Sequence, residues 1–205
     1  DTAESRLMAT MLYGCGFRVK ELLPVRIKDL DFGNHLVEIH DGKGMKDRIT
    51  MLPDRLVPDL RIHVTRVRDL HNRDLAEGRG YTTVPDALHR KFPAAPREWK
   101  WQFLFPAATL CDDPASGRRV RFHRHPSFLQ KPMTRAVRKC GITRRVTCHT
   151  FRHSFASHLF AMGVDSRRVQ EILGHKSLKT TEQYLHELNR CRITIQSPLD
   201  VEYPT

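Results

Sequence analysis

The stretch that decides the fold is His149-Thr150-Phe151-Arg152-His153, followed by Leu173-Gly174-His175 and then by Tyr184. At about 100° per residue, the two histidines and the arginine of the first segment lie on one side of a helix. The opposite side is apolar and is predicted to face the core: Phe151, Phe155, Leu159 and Met162. We therefore predict a helix that builds the core with one face and presents charge to a polar group with the other.

These cations and the downstream tyrosine indicate phosphoryl transfer to that tyrosine. An attacked phosphodiester spreads negative charge over its non-bridging oxygens, so catalysis needs fixed donors around them. The planar fork of an arginine binds two oxygens at once, and histidines add donors or a proton shuttle near neutral pH. A tyrosine hydroxyl is a poor nucleophile unless cations stabilise it as it loses its proton. Taken alone, each residue has a structural interpretation, and it is their ordered combination that carries the prediction.

The composition predicts a polyanionic partner. The chain has 205 residues, with 35 Lys and Arg against 23 Asp and Glu, and a formal net charge of +12. This balance is typical of nucleic-acid-binding proteins. Five widely spaced cysteines without a Cys-x-x-Cys pair favour reduced thiols over a disulfide framework or a zinc ribbon. No apolar run approaches the roughly 18 residues of a membrane span and no signal peptide is visible, so we expect a cytoplasmic protein without a membrane partner.

Hydrophobic periodicity predicts helices separated by one hairpin and one long loop. The predicted helices span residues 1–14, 18–23, 56–75, 133–138, 150–162, 165–173 and 178–188. The hairpin is predicted from 36–40 and 48–52, around a turn at 41–44. Residues 78–126 break the pattern and contain both tryptophans, whose presence argues against disorder and favours a functional loop.

With these motifs in hand, the chain resembles the catalytic domain of the tyrosine recombinases, the family of phage integrases and Xer-type resolvases. The segment Tyr13-Gly14-Cys15-Gly16-Phe17-Arg18-Val19-Lys20-Glu21 is similar to the first arginine box, and Gly42-Lys43-Gly44 to the hairpin with the catalytic lysine. The resemblance implies a mainly α-helical fold with a small antiparallel β-sheet. It also implies a catalytic set, with Glu21 in support: Arg18, Lys43, His149, Arg152, His175 and Tyr184.

Residues 80–126 resemble the insertion of integron integrases, which helps to recognise folded single-stranded recombination sites. On a helix Trp99 and Trp101 would point about 200° apart, so we expect one to anchor the insertion and the other to stack on a protruding base. The candidate DNA contacts are Lys46, Trp99, Trp101, Pro114, Arg121, His123 and His125. That group typically has two adjacent histidines after an arginine. This chain differs there and has Arg121-Phe122-His123-Arg124-His125.

The resemblance also implies a mechanism of DNA cleavage and an oligomeric state. Tyr184 would form a 3′-phosphotyrosyl bond with DNA and Lys43 would protonate the 5′ oxygen, with neither a metal nor a nucleotide cofactor. Residues 1–205 would form the catalytic domain, with a tail at about 190–205. An N-terminal DNA-clamp domain is expected outside this chain, which opens without Met. Strand exchange between two duplexes implies a homotetramer bound to duplex and hairpin sites.

Three other interpretations remain open at this point. The first is a phage or Xer-type recombinase that acts on duplex DNA only, and the second is a non-catalytic DNA-binding protein with the same fold. The third is a metallohydrolase, because His149 and His153 are spaced as two ligands on one helix face. No glutamate lies between those histidines, and no neighbouring cysteine or carboxylate completes a ligand set.

Overall fold

The computed structural model describes residues 2–40, 47–175, 177–182 and 184. Its helices are α1 (Ala3–Gly14), α2 (Val19–Leu22), α3 (Val57–Ala76), α4 (Asp86–Lys91), α5 (Ser127–Lys139), α6 (Cys148–Ala161) and α7 (Ser166–Leu173). Its strands are β1 (Leu30–Asp31), β2 (Leu36–Ile39), β3 (Arg48–Met51), β4 (Cys111–Asp112) and β5 (Arg119–Val120). The predicted class, mainly helical with small antiparallel sheets, is confirmed. None of the described helices is both long and apolar enough to cross a membrane.

The core forms where α1 packs against α5 and α6. One face of α1 is apolar at helical spacing and is buried, which removes Leu7, Met8, Met11 and Leu12 from water. The helix begins at Thr2, whose hydroxyl accepts a hydrogen bond from the Ser5 main-chain N–H. Burial of this face places the end of α1, and the arginine box that follows it, beside α6.

The predicted hairpin is confirmed as β2 and β3, which pair antiparallel with Leu36 opposite Met51 and Ile39 opposite Arg48. Strand β1 adds to the outer edge of β2, so the sheet has the order β1-β2-β3. Strand β3 also packs against α7. The residues predicted to form the turn, which include Lys43 and Lys46, lie outside the described residues.

The insertion is more structured than the predicted long loop. Between 78 and 126 it contains α4, two 3-10 turns at Ala95–Arg97 and Trp99–Trp101, and the β4–β5 ribbon. It folds back onto the core because Phe103, Leu104 and Phe105 are buried. The main-chain N–H of Leu104 donates to the Val25 oxygen at 2.7 Å, which fixes this apolar segment against the chain that follows α2.

Two helix predictions need correction at their ends. Helix α5 begins at Ser127, before the predicted start at residue 133, and contains Pro132 in its interior. Helix α6 ends at Ala161, so Met162 is 78% exposed and does not belong to the predicted core face. Of the helix predicted at 178–188, residues 178–182 and 184 are helical and the others lie outside the described residues.

Candidate active site

The carboxylate of Glu21 lies at the centre of the candidate site. It accepts the main-chain N–H of Arg18 at 2.7 Å and so caps the short helix α2. It also binds the Arg18 guanidinium at 2.5 Å, while the Arg18 side chain keeps 31% of its surface exposed. Burial opposes ionisation of Glu21, but the hydrogen bonds and charge of Arg48 outweigh burial and hold the Glu21 pKa below its usual value. Glu21 is therefore a buried anion that orients an accessible arginine.

Arg48 is a member of this cluster that the sequence interpretation did not single out. Its two terminal nitrogens bind the two oxygens of Glu21 at 3.0 and 2.9 Å, and its Nε donates to the Ile172 main-chain oxygen at 2.9 Å. Its sequence signal is its place at the first position of β3, shortly after the predicted lysine-bearing turn. The structure therefore adds a third arginine to the two that the motifs predict.

Arg152 is fully buried, in contrast to the predicted exposed charged face of α6. Its guanidinium donates to the main-chain oxygens of Gly16, at 2.6 Å, and of Leu173, and lies 3.5 Å from Glu21. Among the described residues its Nε has no hydrogen-bond partner. Burial, followed by the charge of Arg18, lowers the Arg152 pKa to about 10, so the group stays charged near neutral pH. A buried cation with an unused donor is suited to an anionic ligand.

The carbonyls that hold Arg152 require tight turns. Gly16 has φ +67°, and a Cβ there would lie 2.6 Å from the Phe155 ring. Gly174 ends α7 in the left-handed region with φ +64°. Both turns bring main-chain oxygens to α6 from distant parts of the sequence, which is why helical periodicity alone missed the burial of Arg152.

His175 and Tyr184 lie next to each other close to these arginines. His175 is 8% exposed, with its Nδ1 2.9 Å from the Thr181 hydroxyl. Burial, and then the charge of Arg152, lowers the His175 pKa to about 4, so this imidazole is neutral near pH 7. Tyr184 is 4% exposed, and its ring centroid lies 5.6 Å from that of His175. The Leu173 oxygen, two residues before His175, accepts a hydrogen bond from Arg152, so this pair of rings follows directly after the turn that holds the arginine.

The two histidines of α6 extend this group towards solvent. His149 is exposed, and its ring centroid lies 4.8 Å from that of His153, which in turn lies 4.4 Å from the Tyr184 ring. Partial loss of water around its imidazole, followed by the charges of His153 and Arg152, lowers the His149 pKa. The structure thus brings five of the six predicted catalytic positions and Glu21 into one region, and the sixth, Lys43, lies outside the described residues.

The residues on either side of the lysine-bearing segment 41–46 contact each other. The His40 Nδ1 lies 2.9 Å from the Asp47 Oδ2, across the two ends of residues 41–46. On its other side His40 lies 3.2 Å from the Asp29 carboxylate. Both predicted lysines, Lys43 and Lys46, are therefore carried by a segment whose two ends are held together.

The two tryptophans of the insertion differ from the prediction that one lies in the core and the other is free. Both are half-buried, because the 3-10 turn that carries them lies across the core surface. Trp99 packs against α3, with its ring near His71 and the Arg68 guanidinium 4.2 Å away. Trp101 instead lines a groove of about 820 Å³ that also contains Arg18 and Lys28. Only Trp101 shares a groove with the arginine box.

The segment from Arg121 to His125, which follows β5, also departs from expectation. Arg121 is 9% exposed and binds Asp74 through Nε at 2.5 Å and through Nη2 at 2.7 Å, so it belongs to an internal ion pair and not to a DNA surface. His123 is half-buried in an aromatic cluster with Phe103 and Phe122. The other two candidates, Pro114 and His125, are both exposed.

The described residues hold one triad of metal-ligand type, and it does not include the histidines of α6. Asp29, Glu38 and His40 have ligand atoms within 4.8 Å of one another. The Lys28 ammonium lies within this group, 2.7 Å from Asp29 and 3.0 Å from His40. A cation from the chain thus already neutralises the buried carboxylate of this group.

Comparison with known proteins places this geometry in a family. The model of the phage integrase family matches residues 1–190. An integrase/recombinase of Escherichia coli is 44% identical over 201 residues, which are 98% of this chain and 60% of that protein. The tyrosine recombinase XerA of Pyrococcus furiosus is 31% identical over 184 residues, 90% of this chain and 50% of that protein. The chain thus spans 50 to 60% of the length of these two relatives.

Solved structures share the fold. The crystal structure of XerA recombinase aligns with a TM-score of 0.56 and 26% identity, covering 99% of this chain and 65% of that one. A pre-cleavage complex of the XerH site-specific recombinase bound to its difH substrate aligns with a TM-score of 0.58 and 26% identity, covering 94% of this chain and 46% of that one.

Proposed function

Because this chain belongs to the phage integrase family, we propose that it cleaves and rejoins DNA strands through a covalent bond to Tyr184. The observation that carries the proposal is the position of Tyr184, whose ring packs against His175, two residues after the Leu173 oxygen that accepts a hydrogen bond from Arg152. A phosphodiester between these groups would meet a nucleophile on one side and fixed cations on the other.

The proposed reaction is a transesterification in which no phosphate is lost. The Tyr184 oxygen attacks phosphorus and gives its proton to His149, a 3′-phosphotyrosyl bond forms, and the bond to the 5′ oxygen breaks. Lys43 donates a proton to that oxygen. The hydroxyl of a partner strand then reverses the steps, so the covalent link conserves the energy of the phosphodiester and no metal or nucleotide is required.

The charges around Glu21 suit the transition state. Arg18 reaches the surface of the groove, and Arg152 contributes a buried charge whose Nε has no hydrogen-bond partner in the described part of the chain. His175 is neutral, so it acts as a hydrogen-bond donor that adds no charge. These fixed donors would stabilise the negative charge that develops on the non-bridging oxygens.

We further propose that the chain is of the integron integrase type and recombines gene cassettes at folded single-stranded sites. The insertion supports this, because it docks beside the arginine box and places Trp101 in the same groove as Arg18. The alternative is a phage or Xer-type enzyme acting on duplex DNA only, and relatives named XerA favour it. In either case residues 1–205 would act as a catalytic domain beside an N-terminal clamp, assemble as a tetramer on DNA, and work in the bacterial cytoplasm.

One experiment separates the two types. The protein is incubated with a labelled bottom-strand hairpin site and with a duplex site of the same sequence, and covalent complexes are counted on each. An integron-type enzyme would trap the hairpin more efficiently. Equal or better trapping on the duplex would favour the alternative, and no covalent complex on either substrate would reject the proposed chemistry.

A further inference from the structure

Three guanidinium groups share the single carboxylate of Glu21, but they share it unequally. Arg48 contacts both oxygens at 3.0 and 2.9 Å. Arg18 contacts one oxygen at 2.5 Å, and Arg152 only approaches it at 3.5 Å. The two-pronged contact, which is the strongest arrangement for such a pair, therefore goes to the arginine that carries no phosphate-binding role in the proposed function.

This unequal sharing has an electrostatic consequence. The Glu21 side chain is 6% exposed, and a buried carboxylate is not stable without a partner. If Arg48 were absent, the carboxylate would turn to Arg18 or Arg152 and bind it through both oxygens. That arginine would then be neutralised and its fork would be occupied. Arg48 thus leaves the donors of the other two arginines available for an anion.

Arg48 also supports the turn that precedes His175. Its Nε donates to the Ile172 oxygen near the end of α7. Its Cδ lies against Gly174, where a Cβ would come within 2.7 Å of it. One side chain at the start of β3 therefore contacts both the carboxylate that orients Arg18 and the turn that places His175.

We propose that Arg48 is a positioning residue for DNA cleavage, which keeps Glu21 off the phosphate-binding arginines and fixes the turn before His175. This proposal rests on the proposed function. It goes beyond that function because Arg48 touches neither the tyrosine nor the phosphate in it.

Arg121 provides a matched control for the test. Its side chain is 10% exposed against 9% for Arg48, and it also forms a two-pronged ion pair and donates to main-chain oxygens. Its partner is Asp74, in α3 and outside the Glu21 cluster. The variants Arg48→Lys and Arg121→Lys each keep the charge and lose the fork, so a merely structural role predicts the same outcome for both.

The measurement is the single-turnover rate of covalent complex formation on a labelled site, below the melting temperature of every variant. Both lysine variants are expected to melt at a lower temperature and to bind DNA as the wild type does. Only Arg48→Lys is expected to form the covalent complex more slowly, by about 100-fold, the usual effect of a small misplacement of reacting groups. Equal rates for the two variants would overturn the proposal.

Two further arms locate the effect. The double variant Arg48→Met/Glu21→Gln removes both buried charges, so it should melt at a higher temperature than Arg48→Met and still cleave slowly. Recovery of the cleavage rate together with stability would contradict positioning.

A bridging sulfur at the 5′ position should leave Arg48→Lys slow, because leaving-group protonation is not the step affected. Full rescue by sulfur would instead mean that Arg48 acts by supporting Lys43 in that protonation. If the wild type forms no covalent complex, the proposed function fails and the proposal fails with it.

Discussion

The guanidinium of Arg26 donates a hydrogen bond to the main-chain oxygen of Trp101. It donates a second to the Thr83 oxygen at 2.8 Å, so it holds two distant points of the insertion. Burial lowers the Arg26 pKa to about 10, and the group remains charged near neutral pH. The insertion is thereby fixed to the chain that follows the arginine box, and Trp101 is held in the groove beside Arg18.

This geometry predicts which tryptophan contacts a protruding base. Stacking on an aromatic ring contributes about 1–3 kcal/mol per base, so Trp101→Ala should weaken binding to a folded single-stranded site by about 5- to 150-fold. Binding to a duplex site should change much less. The measurement is the ratio of the two dissociation constants at one salt concentration.

Trp99→Ala is the matched control, because the Trp99 ring lies against Arg68 and His71 of α3. It should lower the melting temperature and weaken both sites equally. A greater selective effect from Trp99→Ala than from Trp101→Ala would show that the base stacks elsewhere.

His175 predicts a pH dependence of stability. Its folded pKa is about 4, below the ordinary value of 6.5, so between these values the unfolded chain takes up a proton that the folded chain does not. Its contribution is therefore fully present above about pH 6.5 and is lost as the pH falls towards 4, with a loss of about 2 kcal/mol at pH 5. In His175→Gln the difference between denaturant unfolding free energies at pH 7 and pH 5 should be smaller than in the wild type.

The control for His175 is the exposed His125. His125→Gln should leave the pH dependence of the unfolding free energy as it is in the wild type, because this side chain is exposed and is not buried on folding. Identical pH dependence in His175→Gln and the wild type would contradict a neutral, buried His175.

Lys43 remains a prediction from the resemblance, since it lies outside the described residues. If it protonates the leaving 5′ oxygen, Lys43→Ala should cleave ordinary DNA at least about 100-fold more slowly. A substrate with a bridging sulfur should recover most of the rate, because a thiolate leaves without a proton. A defect that persists with sulfur would assign Lys43 to phosphate binding instead.

The order of the candidate site residues and the hairpin were predictable because their signals are local. Helix α6 begins after Thr147, whose main-chain N–H donates to the Thr150 hydroxyl at 2.9 Å, and its apolar spacing identifies Phe155 and Leu159 as core. Strands β2 and β3 are short β-rich segments on either side of residues 41–46, whose sequence contains Gly42 and Gly44, and they pair antiparallel as predicted. Such patterns require only neighbouring residues to be known.

Contacts between distant residues were not predictable in the same way. Arg152 is buried because Gly16 and Leu173 offer it carbonyls, and neither lies on its own helix. The sequence predicts Arg121 as a DNA contact, yet its partner Asp74 lies 47 residues earlier in the sequence. In both cases charge and periodicity identify an arginine, but only the tertiary fold decides whether its partner is an internal group or an external anion.

The most direct test of the account is covalent trapping by Tyr184→Phe. The variant lacks only the phenol oxygen, and affinity for DNA depends mainly on basic contacts to phosphates. With a labelled, nicked substrate that prevents religation, we expect the wild type to form a covalent protein–DNA complex. We expect none from Tyr184→Phe, although the two proteins should bind DNA with affinities within about threefold of each other. A covalent complex of undiminished yield in the phenylalanine variant would contradict the assignment of Tyr184 as the nucleophile.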